Sequence, residues 1–144
     1  MKRTINLLAI GVVFALSAIG QYGLAWSQER SETENRLAVI WSSGDPEVAM
    51  QACLMFTHNA KKQKWFDAVT LIVWGPSAKL LAGNENLQAK IKSMIADGVN
   101  VQACRACSDS YGVSSQLRSL GIDVKYMGKP LTDLLKSGWK VLTY

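Results

Sequence analysis

Two cysteines three positions apart, Cys104 and Cys107, are the residues of this chain best suited to chemistry. They stand in Cys104-Arg-Ala-Cys107, after a short apolar run, Val99-Asn-Val-Gln-Ala103, and before a segment of small residues, Ser108-Asp-Ser-Tyr-Gly-Val113. The profile is that of a buried strand delivering two thiols onto the turn into a helix. Two sulfurs at that spacing can close a disulfide, share a metal ion or carry a sulfur atom. At the carboxyl end of a strand in a parallel sheet they would stand where ligands gather in open α/β folds.

Other chemistries find less support. No G-x-G-x-x-G or P-loop pattern is present, so no nucleotide cofactor is expected. The single histidine, His58, falls on a predicted helix away from the thiols, which argues against a Cys-His nucleophile and reads as a surface histidine. Zinc generally takes four ligands, which two cysteines and a remote histidine do not supply, so no metal site is expected. Paired carboxylates are missing near the thiols, where Asp109 stands alone. A thioredoxin-like site places its C-x-x-C after the first strands and at the start of a long helix, whereas this pair follows the third predicted strand. Sulfur carriage, thiol–disulfide exchange and a pair of small buried cysteines without a reactive role all stay open. A thiol at a helix N-terminus is acidified by the helix dipole and by a neighbouring cation. Arg105 or Lys79 would supply that cation, and Trp74, Tyr111 and Tyr126 an apolar wall.

The elements that must position these thiols follow from hydrophobic periodicity. Leu37–Trp41 is a continuous apolar run, as in a strand covered on both faces. Asp45 followed by Pro46 starts a helix that runs to about Lys62. Ala49, Ala52, Cys53, Phe56 and Ala60 share one face of it, which makes Cys53 a small core residue. Asp67–Trp74 is the strongest strand and the expected centre of the sheet. Ser77–Ala82 forms a short helix closed by Gly83, and Asn84 caps a helix to Asp97 with Leu87, Ile91, Met94 and Ile95 as its apolar stripe. Val99–Ala103 is the third strand. Ser114 caps a helix over Ser115–Leu120, Ile122–Met127 is the fourth strand, and a helix over Leu131–Ser137 leads to a last strand, Trp139–Thr143.

Alternation with short connections predicts right-handed crossovers and a three-layer α/β domain, built on a five-stranded, mainly parallel, flavodoxin-like sheet. The loops at its carboxyl edge then bring Ser42, Ser43, Trp74, Gly75, Arg105, Asp109, Tyr111 and Tyr126 around Cys104 and Cys107 as pocket-lining residues.

With 144 residues, 49% apolar and 19% charged, the chain suits one domain with a real core. Met1-Lys-Arg-Thr4 is a positive head, Ile5 to Ile19 an apolar run, and Gly23-Leu24-Ala25 a small-residue cleavage site. Residues 1–25 therefore read as a secretory signal peptide, which places the domain outside the cytoplasm, in the periplasm if the source is Gram-negative. The competing reading is an uncleaved anchor, since residues 5–25 are just long enough to span a bilayer, and membrane contact is expected through this segment alone. Residues 26–36 form a polar leader, and residues 37–144 the globular domain. The net charge of +5 loses Lys2 and Arg3 with the signal, and what remains is too weak and scattered to indicate nucleic acid. The cluster Lys61-Lys62-Gln63-Lys64 reads as a solvated helix end. Export also bears on the thiols, because exported proteins meet oxidising conditions.

A family likeness adds to this. Val73-Trp-Gly-Pro-Ser77 with Lys79-Leu-Leu-Ala82, then Gly98-Val99, Ala103-Cys-Arg-Ala-Cys107, Tyr111-Gly-Val113, Leu120-Gly-Ile122 and Tyr126-Met-Gly128 give residues 37–144 a pattern that resembles the DsrE family (DsrE/DsrF-like) of small sulfur-handling proteins. The resemblance implies a five-stranded α/β fold and homo-oligomers, trimers or hexamers. It implies a cysteine that carries persulfide between a sulfur donor and an acceptor. In relay members that cysteine lies eight residues before a Gly-Val pair, the place of Cys104 relative to Gly112-Val113, and Cys107 matches a second cysteine that would resolve the persulfide or close a disulfide. The implied function is an exported sulfur carrier or transferase that holds sulfane sulfur as a cysteine persulfide. Its rivals are a non-catalytic oligomeric module binding a small ligand, and a thiol–disulfide oxidoreductase using the C-x-x-C pair.

Overall fold

The computed structural model describes residues 35–144. The predicted signal peptide and the leader up to residue 34 lie outside the described residues. Strand β1 (Arg36–Trp41) leads to a π-helical stretch, Val48–Leu54, that continues directly into α1 (Met55–Lys62). Then come β2 (Ala68–Val73), α2 (Pro76–Ala82), α3 (Glu85–Ala96), β3 (Asn100–Cys104), α4 (Arg105–Ser110), α5 (Ser114–Ser119), β4 (Asp123–Lys125), α6 (Gly128–Lys136) and β5 (Lys140–Thr143). The strands form one sheet in the order β4-β3-β2-β1-β5, with every pairing parallel and β2 in the middle.

This order makes the sheet lopsided. From β1 to β4 each crossover steps in the same direction, so right-handed connections put the helices from the π-helical stretch to α5 on one face. Only the β4-to-β5 connection steps back, and among the described residues α6 is the one helix on the other face. The buried side chains divide accordingly. Leu37, Val39 and Trp41 of β1, Val69, Leu71 and Val73 of β2, and Val101 and Ala103 of β3 share a large core with Leu81, Leu87, Ile91, Met94 and Leu117. The alternate strand positions point to α6, where Ile72, Cys104 and Met127 form a small second core. Helix α6 contributes only partly buried residues, Leu131 and Leu134, to this thin layer.

Local signals act where expected at several boundaries. The Asp45 carboxylate accepts the N–H groups of Glu47 and Val48 at 2.8 and 2.9 Å, and Asn84 accepts from Leu87 N–H at 3.1 Å. Gly98 closes α3 at φ 88°. Other boundaries differ. Helix α4 starts at Arg105, directly after β3, so Cys107 lies in its first turn rather than before it. Strand β4 is three residues long because Met127 turns into the α6-side core. Ser114 is the first residue of α5 and no cap; its hydroxyl serves Asp109 and Ser108 instead. Among the described residues no helix is long and apolar enough to cross a membrane.

The largest correction concerns His58. The wider turns of the π-helical stretch change which positions of the following helix face inward. Leu54, Thr57 and His58 join Ala49, Cys53 and Ala60 in burial, and His58 is only 6% exposed rather than on the surface. Its Nε2 lies 2.6 Å from Asp97 Oδ2 and its Nδ1 2.8 Å from Lys90 Nζ. A lysine ammonium can only donate, so Nδ1 accepts and Nε2–H donates to Asp97. The imidazole thus joins α1 to α3. The same hydrogen bond is the main reason the Asp97 carboxyl is held below its ordinary range. A depressed carboxylate stabilises the fold at pH above its unfolded value, and that contribution disappears as pH falls through the folded value. Replacing His58 by Ala is expected to cost about 2 kcal/mol of unfolding free energy at neutral pH, from a cavity and two stranded polar partners. The variant should also lose less stability on acidification than the parent; denaturant unfolding at pH 7 and below pH 4 checks both.

Candidate functional site

Cys104 ends β3 and, with φ −69° and ψ 112°, sets the turn into α4. Strand alternation aims its side chain at the α6 side, where Ile72 and Met127 help to close over it, and it is 5% exposed. Cys107, one helical turn on, is half-buried in the same cluster with Trp74 and Leu131. Both are free thiols, and their side chains interact within one packed cluster. The two sulfurs are thus in contact but not equivalent: one is sealed under α6, the other stands toward solvent.

Burial pushes the Cys107 thiol up, and its hydrogen bond to Cys104 pushes it further in the same direction. The Gly75 N–H, aimed at the Cys107 sulfur, works against this, as does the N–H of Cys107 itself. Gly75 holds that aim at φ 66° and ψ −135°, a backbone state that glycine alone adopts readily. Ser77 braces the same loop: its hydroxyl accepts from Trp74 N–H at 3.0 Å and donates to the Trp41 carbonyl at 2.5 Å. The carboxyl ends of β1 and β2 are clamped together just where Gly75 reaches the thiols.

The expected cation does not reach the sulfurs. Arg105 Nε lies 3.1 Å from Asp109 Oδ2, one turn along α4, and its guanidinium sits 5.2 Å from the Tyr126 ring centroid. The Ser114 hydroxyl and then Arg105 hold the Asp109 carboxyl below its ordinary range. Arg105, Asp109 and Tyr126 therefore form a flank of their own beside the thiols. Lys79 lines a cleft of about 450 Å³ with Gly44, Pro76, Leu80, Gly83 and Asn84. No cation is among the groups that shift Cys107, and its thiol is raised where the sequence suggested acidification.

Of the other predicted lining residues, Trp74 and Gly75 meet the thiols. Ser42 and Ser43 instead bind the main-chain oxygen of Tyr144: Ser42 N–H and Oγ each reach Tyr144 O at 2.7 Å, and Ser43 N–H at 3.1 Å. They secure the β1–β5 seam. Tyr111 caps α4 and is 41% exposed. Sequence reasoning passed over Ile72 and Met127 as site residues. Strand alternation from Cys104 across to Ile72 was the available signal, through the β2–β3 register. Cys53, as expected, is core, and burial pushes its thiol up to about 12.

An all-parallel α/β domain with a sheltered dithiol at the carboxyl edge of its sheet is a recognisable class of protein. The DsrE/DsrF-like family profile matches residues 36–144, and the chain belongs to that family. Membership points to a role of the sulfur-relay kind. Among solved structures, a conserved protein of unknown function from Bacteroides thetaiotaomicron, BT1422, is 34% identical with a TM-score of 0.74, over 76% of this chain and 95% of that one. The YchN protein of E. coli is 18% identical with a TM-score of 0.63, over 76% of this chain and 99% of that one, and supports the fold alone. No curated protein matches the chain.

These environments predict an order of reactivity. With limiting iodoacetamide at pH 8, Cys107 should be alkylated first, Cys104 at least about tenfold more slowly, and Cys53 only after unfolding. Peptide mass mapping of timed samples checks the order.

Proposed function

We propose that this protein is an exported sulfur carrier that holds sulfane sulfur as a persulfide on the Cys104–Cys107 pair. The observation that carries the reading is the contact between one sealed and one reachable sulfur. A donor R–S–SH meets Cys107 first, after that thiol has given its proton to solvent. The Cys107 thiolate attacks the donor's outer sulfur; the donor's S–S bond breaks, a new S–S bond forms on Cys107, and R–S⁻ leaves with the electron pair. The Cys104 thiolate then takes the same outer sulfur from Cys107 by an identical exchange, which returns Cys107 as thiolate. Neither step needs an oxidant. Under α6 the Cys104 persulfide is shielded from water and stray thiols, as a carrier requires. The Gly75 N–H steadies the Cys107 thiolate each time it is the leaving group, the part an oxyanion-type donor plays in acyl transfer. Cys104 remains the carrier, in keeping with its position before Gly112-Val113, and Cys107 becomes the receiving sulfur.

Incubation of the reduced chain with polysulfide should add the mass of one sulfur atom per chain, mapped to Cys104. Cys104→Ser should leave only a short-lived adduct on Cys107, and Cys107→Ser should slow loading of Cys104 by about tenfold or more. Intact and peptide mass spectrometry decide; no adduct on either cysteine would remove the reading.

We also propose that the chain works as a homo-oligomer, a trimer or hexamer. The thinly covered α6 side supports this, because Leu135 is 56% and Tyr126 63% exposed there. Leu135→Asp should shift the light-scattering mass toward that of one chain without loss of helical circular dichroism.

A further inference from the structure

The same pair of sulfurs has a second competence, which does not depend on persulfide chemistry. Among the described residues no group of three or more His, Cys, Asp or Glu side chains could hold a metal ion, so ions that need three or four such ligands are not served. Two touching thiols are a complete ligand set for one class of ion, the soft monovalent cation that accepts two thiolates in line. Their surroundings fit that class. Cys104 and Cys107 share their cluster with Ile72, Trp74 and Leu131, and Met127 there brings a thioether. Met127 is 1% exposed, so its sulfur, too, belongs to the interior of the site. A divalent ion bound by the same two thiolates would be neutral but short of the further ligands it takes, and the Asp109 carboxylate on α4 is already engaged by Arg105 and Ser114. A monovalent ion bound by two thiolates is complete in its ligands and spreads its single negative charge over two polarisable sulfurs.

We propose that Cys104 and Cys107 bind one Cu(I) ion between their sulfurs, in a chamber walled by Met127, Trp74 and Ile72. Binding exchanges protons for metal: two thiols and one Cu(I) give a bis-thiolate complex of charge −1 and two released protons, with no change of oxidation state. Affinity therefore rises with pH, because two protons leave as the ion binds. The two cysteines already pack in one cluster, one helical turn apart. The half-buried Cys107 is the side from which a ligand-bound Cu(I) is handed over, thiolate by thiolate.

The reduced full chain, kept anaerobic, should withdraw one Cu(I) per chain from its complex with bicinchoninate. X-ray absorption should report two short Cu–S contacts and none to nitrogen. Cys104→Ser and Cys107→Ser should each weaken binding by at least about a hundredfold, since loss of even an outer-sphere partner costs ten- to a hundredfold. Cys53→Ala should bind as the parent does. Because Cys107 is half-exposed, its serine variant tests the site without disturbing the core, and far-ultraviolet circular dichroism verifies its fold. The proposal is overturned if copper stays with the chelator, if uptake survives in the double serine variant, or if Zn(II) binds the parent as tightly as Cu(I). Failure here leaves the polysulfide adduct untouched, and absence of that adduct leaves copper binding untouched.

Discussion

The constraint on which this molecule turns is the direction of its last crossover. Three connections step the same way across the sheet and pile their helices on one face; the fourth reverses and leaves α6, among the described residues, alone on the other. The large core stabilises the domain and is indifferent to chemistry. The small core is only one helix deep, and β3 ends by pointing Cys104 into it. Had Cys104 and Ala103 been exchanged, the thiol would face the thick layer, where Cys53 illustrates the outcome: full burial and a thiol pushed up to about 12. A thin layer is the one place in this fold where sulfur can be dry and still a single side chain away from solvent.

Much of the architecture was legible in the chain, and for a simple reason. Runs such as Leu37–Trp41 and Leu71–Val73 are apolar at every position because helices or the second core cover both faces, and Asp45, Asn84 and Gly98 mark helix ends through local signals. Such signals are complete within a few residues of sequence. His58 was misread because the periodicity of its helix changes at Val48–Leu54, and nothing in the residue types announces wider turns. The brevity of β4 was equally hidden, since Tyr126 and Met127 have fine strand propensity and leave the sheet for tertiary reasons.

The site was half legible. The C-x-x-C spacing and its position after the third strand located the reactive sulfurs, but their electrostatics depended on a competition that sequence does not rank. Arg105 lies next to Cys104 in the chain, yet Asp109 stands at the helical i,i+4 spacing from it and Tyr126 offers a ring, and together they draw the guanidinium away. Ser114 reinforces the choice by holding Asp109 in place through a network that also includes Ser108. What reaches Cys107 is a backbone N–H from Gly75, a group present at every residue and so invisible in composition.

This exchange of a mobile cation for a fixed amide has a chemical consequence. A nearby arginine would lower the thiol's proton affinity whatever the sulfur's partner, and would make Cys107 reactive toward any electrophile in its surroundings. A single N–H, set against the cost of burial, leaves the resting thiol protonated and quiet. The thiolate gains most where the entering partner contacts the apolar shell and excludes water, because the N–H then acts in a drier site. Selectivity here comes from the shell rather than from general activation. The site discriminates by asking its partner to be soft, small or apolar enough to stand against Trp74 and Leu131, and the backbone geometry of Gly75 supplies polarity only after that condition is met.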